Sequence, residues 1–136
     1  MKLGNDELRY LRALETIAGV NARDCIISKN KLVFLIQEKD LGKAIGKNGS
    51  TVKTLAEKMG KTVELMEYNP DAKVFIQKAL GGIKTQNLEL VNGEKNSMQL
   101  ILDSENRKKL LNNIGRLKRL KEIVKREYDI DDIRIR

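Results

Sequence analysis

The sequence predicts an α+β protein made of two tandem copies of one unit, each running helix–strand–strand–helix–helix–strand. Three observations predict it. A gapless shift of 65 residues lays the chain on itself, so that Tyr10 falls on Phe75, Leu35-Ile36 on Leu100-Ile101, Leu55 on Leu120 and Met59 on Val124. Residue types agree where both copies should be apolar, and internal repetition is an architectural signal. Within each copy, helical stripes and short apolar runs follow one another in the same order. Asn69-Pro70 breaks the chain between the copies, which places the two domains at residues 1–68 and 69–136.

The first copy begins with a helix over residues 6–18. Asn5 or Asp6 can cap it, Glu7 suits its first turn, and Leu8, Tyr10, Leu11, Leu14 and Ile17 make one apolar stripe. Gly19 ends it. A short strand over 24–28, a turn at Lys29-Asn30-Lys31 and a second strand over 32–37 follow. Leu32 to Ile36 is apolar at every position, so both faces of that strand should be covered. A short helix through Leu41 to Ile45 leads into Gly46-Lys47-Asn48-Gly49, and an amphipathic helix over 50–59 leaves it, stopped by Gly60. A strand over 62–67 closes the copy.

The second copy starts with a helix at Asp71 that Gly81-Gly82 ends, and it finishes with a strand over 132–136. In the shifted register, Leu111-Asn112-Asn113-Ile114 takes the place of Gly46-Lys47-Asn48-Gly49. Both glycines are lost there, and Gly115, one position later, is expected to relax the turn.

Gly46 to Gly49 carries the chemistry. Two glycines three apart allow a sharp turn and leave backbone N–H groups uncovered by side chains. The helix that starts after the turn adds the positive end of its dipole, and Lys47 adds a full charge. A phosphate can lie across such a loop. A Walker loop needs four residues between its glycines, whereas Gly42 and Gly46 are separated by three and Asn48 follows Lys47. A helix–GxxG–helix unit that grips a nucleic-acid backbone is the signature of the KH module. A helix and two strands ahead of the loop, with one strand after it, fit the prokaryotic-type (type II) permutation of that fold. The resemblance implies a three-stranded mixed sheet in each copy, and a groove lined by Ile45, Val52, Leu55, Val63 and Leu65 that holds a few unpaired bases.

The charge points to the same partner. Lys and Arg number 27 against 19 acids, a net charge of +8. Residues 107–126 hold nine basic residues and one acid, Glu122, which accounts for the whole excess. That run suits an electrostatic track for nucleic acid. The expected division of labour is a clamp in the first copy and charge from the second. Aromatic residues are few, which argues against modules that read bases on aromatic platforms.

Other classes fit poorly. The chain has no histidine, so no imidazole base, catalytic triad or His-ligated metal is available. The carboxylate clusters Asp131-Asp132 and Glu38 with Asp40 read as helix and strand ends rather than acid–base pairs. The one cysteine, Cys25, can form neither an internal disulfide nor a multi-thiolate metal site. No apolar run is long enough to span a membrane, and the first residues lack the apolar core of a signal peptide. A non-enzymatic, cofactor-free, cytoplasmic protein is expected, without a membrane partner and monomeric.

Asp40-Leu41-Gly42-Lys43-Ala44-Ile45-Gly46-Lys47-Asn48-Gly49 and Lys125-Arg126-Glu127-Tyr128-Asp129-Ile130-Asp131, in tandem type II KH order, resemble the archaeal NusA-like transcription factors over nearly the whole chain. The resemblance implies binding of single-stranded RNA in transcription termination or antitermination, with the transcription complex as a further partner. Carried over by position, Gly46 and Gly49 let the backbone approach phosphate. Lys47 and Asn48 touch phosphate or sugar, and Ile45, Lys43 and Lys53 flank them. Asn112 and Asn113 stand at the second loop, and Arg116, Lys118 and Arg119 extend the track. A ribosome-associated KH protein and a KH-fold protein-interaction module stay open as alternatives.

Overall fold

A computed structural model describes residues 4–136. The chain divides into two units, Met1–Asn69 and Pro70–Arg136.

In the first unit, α1 (Asn5–Ala18) starts one residue before the expected helix. Gly4 holds the N-cap, and its N–H donates to Glu7 Oε2 at 2.7 Å, so the capping side chain is that of Glu7 rather than Asn5 or Asp6. Gly19, at φ 66°, ends the helix in the left-handed region. Strands β1 (Asp24–Ile27) and β2 (Lys31–Gln37) pair antiparallel, with Cys25 opposite Phe34. Helix α2 (Glu38–Ile45) leads to a single 3-10 turn at Lys47–Gly49 and then to α3 (Ser50–Met59). Strand β3 (Thr62–Tyr68) returns parallel to β2, with Phe34 opposite Leu65. The sheet is therefore three-stranded and mixed, in the order β1-β2-β3.

Alternation along the strands sorts the side chains. Cys25, Leu32, Phe34 and Ile36 form one core with Tyr10 and Leu14 of α1, Ala44 of α2 and Leu55 of α3. The intervening residues Ile26, Val33, Leu35 and Met66 are buried as well, so both faces of β2 are covered, as its unbroken apolar run predicts. The Lys61 ammonium donates to the Ser28 and Lys29 carbonyls at 2.7 and 2.8 Å and ties the α3–β3 link to the β1–β2 turn. That bond anchors the far end of α3 to the sheet, which fixes the direction in which its N-terminus points.

The second unit contains α4 (Ala72–Ala79), β4 (Asn87–Val91), β5 (Ser97–Ile101), α5 (Ser104–Leu111), α6 (Ile114–Tyr128) and β6 (Asp132–Ile135). Its sheet has the same construction, β4 antiparallel and β6 parallel to the central β5. Met98 and Leu100 of β5 are buried, as are Phe75 and Ile76 of α4, Leu110 of α5 and Leu120, Ile123 and Val124 of α6. The Phe75 ring lies 5.3 Å from that of Tyr128, which holds α4 against the end of α6. Two lengths depart from the repeat. Helix α4 has 8 residues where α1 has 14. Helix α6 has 15 where α3 has 10, so β6 arrives later in the register than β3.

Candidate nucleic-acid interface

The turn between α2 and α3 takes its shape from three departures into positive φ within four residues. Gly46 sits at φ 77° and ψ 171°, a conformation open in practice to glycine alone. Asn48 is left-handed at φ 57° and ψ 29°, where asparagine is tolerated better than most residues. Gly49 follows at φ 75° and ψ 14° and serves as the N-cap of α3. The Gly46 N–H ends α2 on the Gly42 carbonyl at 2.9 Å, and the Gly49 N–H returns to the Gly46 carbonyl at 3.2 Å. Gly46 also lies against the first turn of α3. A Cβ placed on it would stand 2.7 Å from the Thr51 nitrogen, closer than any real contact. No equivalent crowding exists at Gly49, where only the backbone angle demands glycine.

The consequence is an open helix end. As N-cap, Gly49 offers no side-chain oxygen to the first N–H groups of α3, and no acid occupies its first turn. Lys47 and Asn48 are exposed at the tip, with Lys43 and Lys53 exposed on either side. Ile45, at the end of α2, is an apolar side chain left 40% exposed. An uncapped helix dipole, glycine backbone and three exposed ammonium groups together favour an anion over the turn.

The expected groove residues separate by depth. Val52, Val63 and Leu65 are half-buried, and Ile45 is exposed. Leu55 is fully buried in the core and is unavailable to a base, since the stripe of α3 turns it toward Phe34 and Leu14. Thr51 is the contributor that sequence reasoning overlooked. Its backbone forms the wall that Gly46 packs on, and only the closeness of the two chain segments reveals it.

The corresponding turn of the second unit has a different build. Asn112 is right-handed at φ −75°, and Asn113 takes φ −127°. Their N–H groups donate to the Lys108 and Leu110 carbonyls, each at 3.0 Å. Asn113 Oδ1 accepts from the Arg116 N–H at 3.3 Å and so caps α6 with a neutral side chain. Gly115 is the second residue of α6 and not part of the turn, contrary to its expected role. The helix begins where Asn113 caps it, whatever the position of the glycine.

The basic run is also less uniform than its sequence. Lys118 is exposed, whereas Arg116 and Arg119 are half-buried. The Arg116 guanidinium lies beside Gly81, 3.6 Å from where a Cβ would stand, and that of Arg119 lies over Gly115 at 3.0 Å on the same measure. Three others form ion pairs: Lys109 with Glu105 at 3.6 Å, Lys121 with Asp132 at 3.4 Å and Arg126 with Glu122 at 2.8 Å. The freely presented charge of α5 and α6 is centred on Lys108, Lys118 and Lys125. Among the described residues no cluster of acids or cysteine could hold a metal, and no helix is long and apolar enough to cross a membrane.

A mixed three-stranded sheet carrying a helix–GxxG–helix corner defines a KH-type fold. The KH domain family matches residues 7–90. A Methanocaldococcus jannaschii protein called "Probable transcription termination protein NusA" is 31% identical over 137 residues, covering 99% of this chain and 75% of its own. A protein of the same name from Halococcus morrhuae is 25% identical, covering 98% of this chain and 96% of its own. The crystal structure of APE1850 superposes with a TM-score of 0.86 at 26% identity, over 98% of this chain and all of the other. The chain belongs to the KH domain family, among its archaeal NusA-like members.

Proposed function

We propose that this chain is a single-stranded RNA-binding protein acting in transcription termination or antitermination. The observation that carries the RNA-binding half is the α2–α3 turn, where Gly46 and Gly49 expose backbone at an uncapped helix end under Lys47 and Asn48. The archaeal relatives' shared name, with near full-length coverage, supports the transcription half. Lys47 and Asn48 contact phosphate or sugar, Lys43 and Lys53 supply flanking charge, and Ile45 meets the first base. The second unit is a second KH domain whose glycines have been lost, a reading supported by its shared strand order. It lends Lys118 to the RNA directly, with Arg116 and Arg119 reinforcing the local potential. The protein works as a cytoplasmic monomer without catalytic activity, and the transcription complex is its setting.

The test is fluorescence anisotropy with short single-stranded RNA, matched DNA and duplex RNA across a salt series. Salt-sensitive preference for single-stranded RNA is expected, with most affinity lost on Lys47→Asp/Asn48→Asp at unchanged melting temperature. Equal binding of all three nucleic acids, or indifference to the double substitution, refutes the clamp.

A further inference from the structure

The turn at 111–114 presents apolar side chains where the first unit presents glycines. Leu111 is 47% exposed and Ile114 44%, the two largest values for exposed large apolar side chains among the described residues. Between them Asn112 is also exposed. Asn113 caps the helix end that an anion would otherwise approach, whereas no side chain caps α3 in the first unit. The corner is thus built against a phosphate at its centre. Yet it stands inside the most basic stretch of the sequence. Helical spacing puts Lys108, three residues before Leu111, and Lys118, four after Ile114, on the faces those two side chains occupy. Both lysines are exposed.

We infer that this turn docks unstacked bases of a single-stranded nucleic acid, with Leu111 and Ile114 against base faces and Lys108 and Lys118 on the flanking phosphates. A base face is apolar and sheds water against an aliphatic side chain, as when leucine or isoleucine wedges between base steps. The exposed Asn112 carboxamide carries both donor and acceptor and can bond one base edge. Charge decides between occupants. An apolar anchor ringed by lysines, with one acid in residues 107–126, complements a polyanion whose bases are splayed. The two units then bind differently, the first by the backbone and the second by the bases. This rests on the RNA-binding reading of the chain.

The test uses the full chain and a single-stranded RNA of about ten nucleotides, alongside an abasic strand of the same length. Leu111→Ser/Ile114→Ser should weaken binding of the intact RNA about tenfold without changing the salt slope. It should leave binding of the abasic strand untouched and the melting temperature unaltered. Lys108→Ala/Lys118→Ala should instead flatten the salt slope for both strands. A 2-aminopurine in the RNA should change its fluorescence with the wild-type chain and not with the serine variant. If the serine variant binds intact RNA as tightly as wild type while Lys47→Asp/Asn48→Asp loses it, the base-docking assignment fails alone, and the apolar pair belongs to a protein partner. If the serine variant flattens the salt slope, the turn is a phosphate site and the assignment fails. If the wild-type chain binds no RNA, both readings fall together.

Discussion

Gly46 packs on Thr51 so closely that any side chain at 46 would overlap backbone. A Cβ there would stand 2.7 Å from the Thr51 nitrogen and 2.8 Å from the Thr51 Cβ. Gly49, three residues on, has empty space around its α-carbon and is constrained by its φ of 75° alone. The two glycines of one motif should therefore respond unequally. Gly49→Ala should cost about 1–2 kcal/mol, the price of a left-handed alanine. Gly46→Ala carries a rarer backbone conformation plus the overlap, and should cost about 3 kcal/mol or more. Urea unfolding of the two variants checks the order, and equal losses would mean that the α2–α3 corner relaxes freely.

Much of this architecture was legible from residue patterns. The unbroken apolar run Leu32 to Ile36 marked a strand covered on both faces, and all five side chains are buried. GxxG between two helices located the corner, because its glycines answer to local backbone geometry that sequence displays directly. Depth was not legible. Val52 and Leu55 lie on one stripe, and only the packing of α3 on Phe34 and Leu14 decides that Leu55 is core. Nor was the fate of the arginines. Arg116 and Lys118 read alike in a basic run, but Gly81 leaves room for the Arg116 guanidinium beside α4. Gly115 misled because a glycine suggests a turn, while the helix start is set by the cap that Asn113 provides.

Asp103 should make the stability of the second unit depend on acid. Its carboxylate caps α5 by accepting from the Asn106 N–H at 2.8 Å and the Asn106 side-chain amide at 3.0 Å. These bonds, the backbone one first, and the nearby Lys109 charge hold its pKa below the usual aspartate value. A folded-state pKa depressed in this way contributes stability above the unfolded pKa and loses it as pH falls through the folded one. Asp103→Ala should therefore melt earlier than wild type at neutral pH, and the gap should narrow as pH drops through the carboxylate range. A gap independent of pH would show that the charge on Asp103 contributes nothing.

Asp129 occupies an unfavourable place for an acid. It is left-handed at φ 55° as the C-cap of α6, where a Cβ is strained and a negative charge opposes the helix dipole. Its contribution to the neighbouring chain is made by its backbone carbonyl, which accepts from the Asn96 side-chain amide at 3.2 Å. Asp129→Gly keeps that carbonyl and removes both penalties. It should stabilise the second unit by about 1 kcal/mol, read as a higher midpoint in urea with unchanged slope.

Lys47 and Ile45 flank Gly46 and should fail in different ways. The Lys47 ammonium is exposed at the tip of the turn, so a phosphate bound there would release one counterion and little else. Lys47→Ala should lower affinity and reduce the slope of log affinity against log salt by about 0.7, the value for one phosphate on a single strand. Ile45 has no charge and is 40% exposed beside the turn. Ile45→Ser should lower affinity at every salt concentration by a similar factor and leave the slope unchanged, the outcome expected when an apolar contact with a base is removed. Neither substitution should move the melting temperature by more than a degree or two, since neither side chain belongs to the buried core. Parallel salt titrations of the two variants separate the contributions. If Lys47→Ala left the slope intact, the phosphate would lie elsewhere, and if Ile45→Ser changed it, the two residues would be parts of one electrostatic contact.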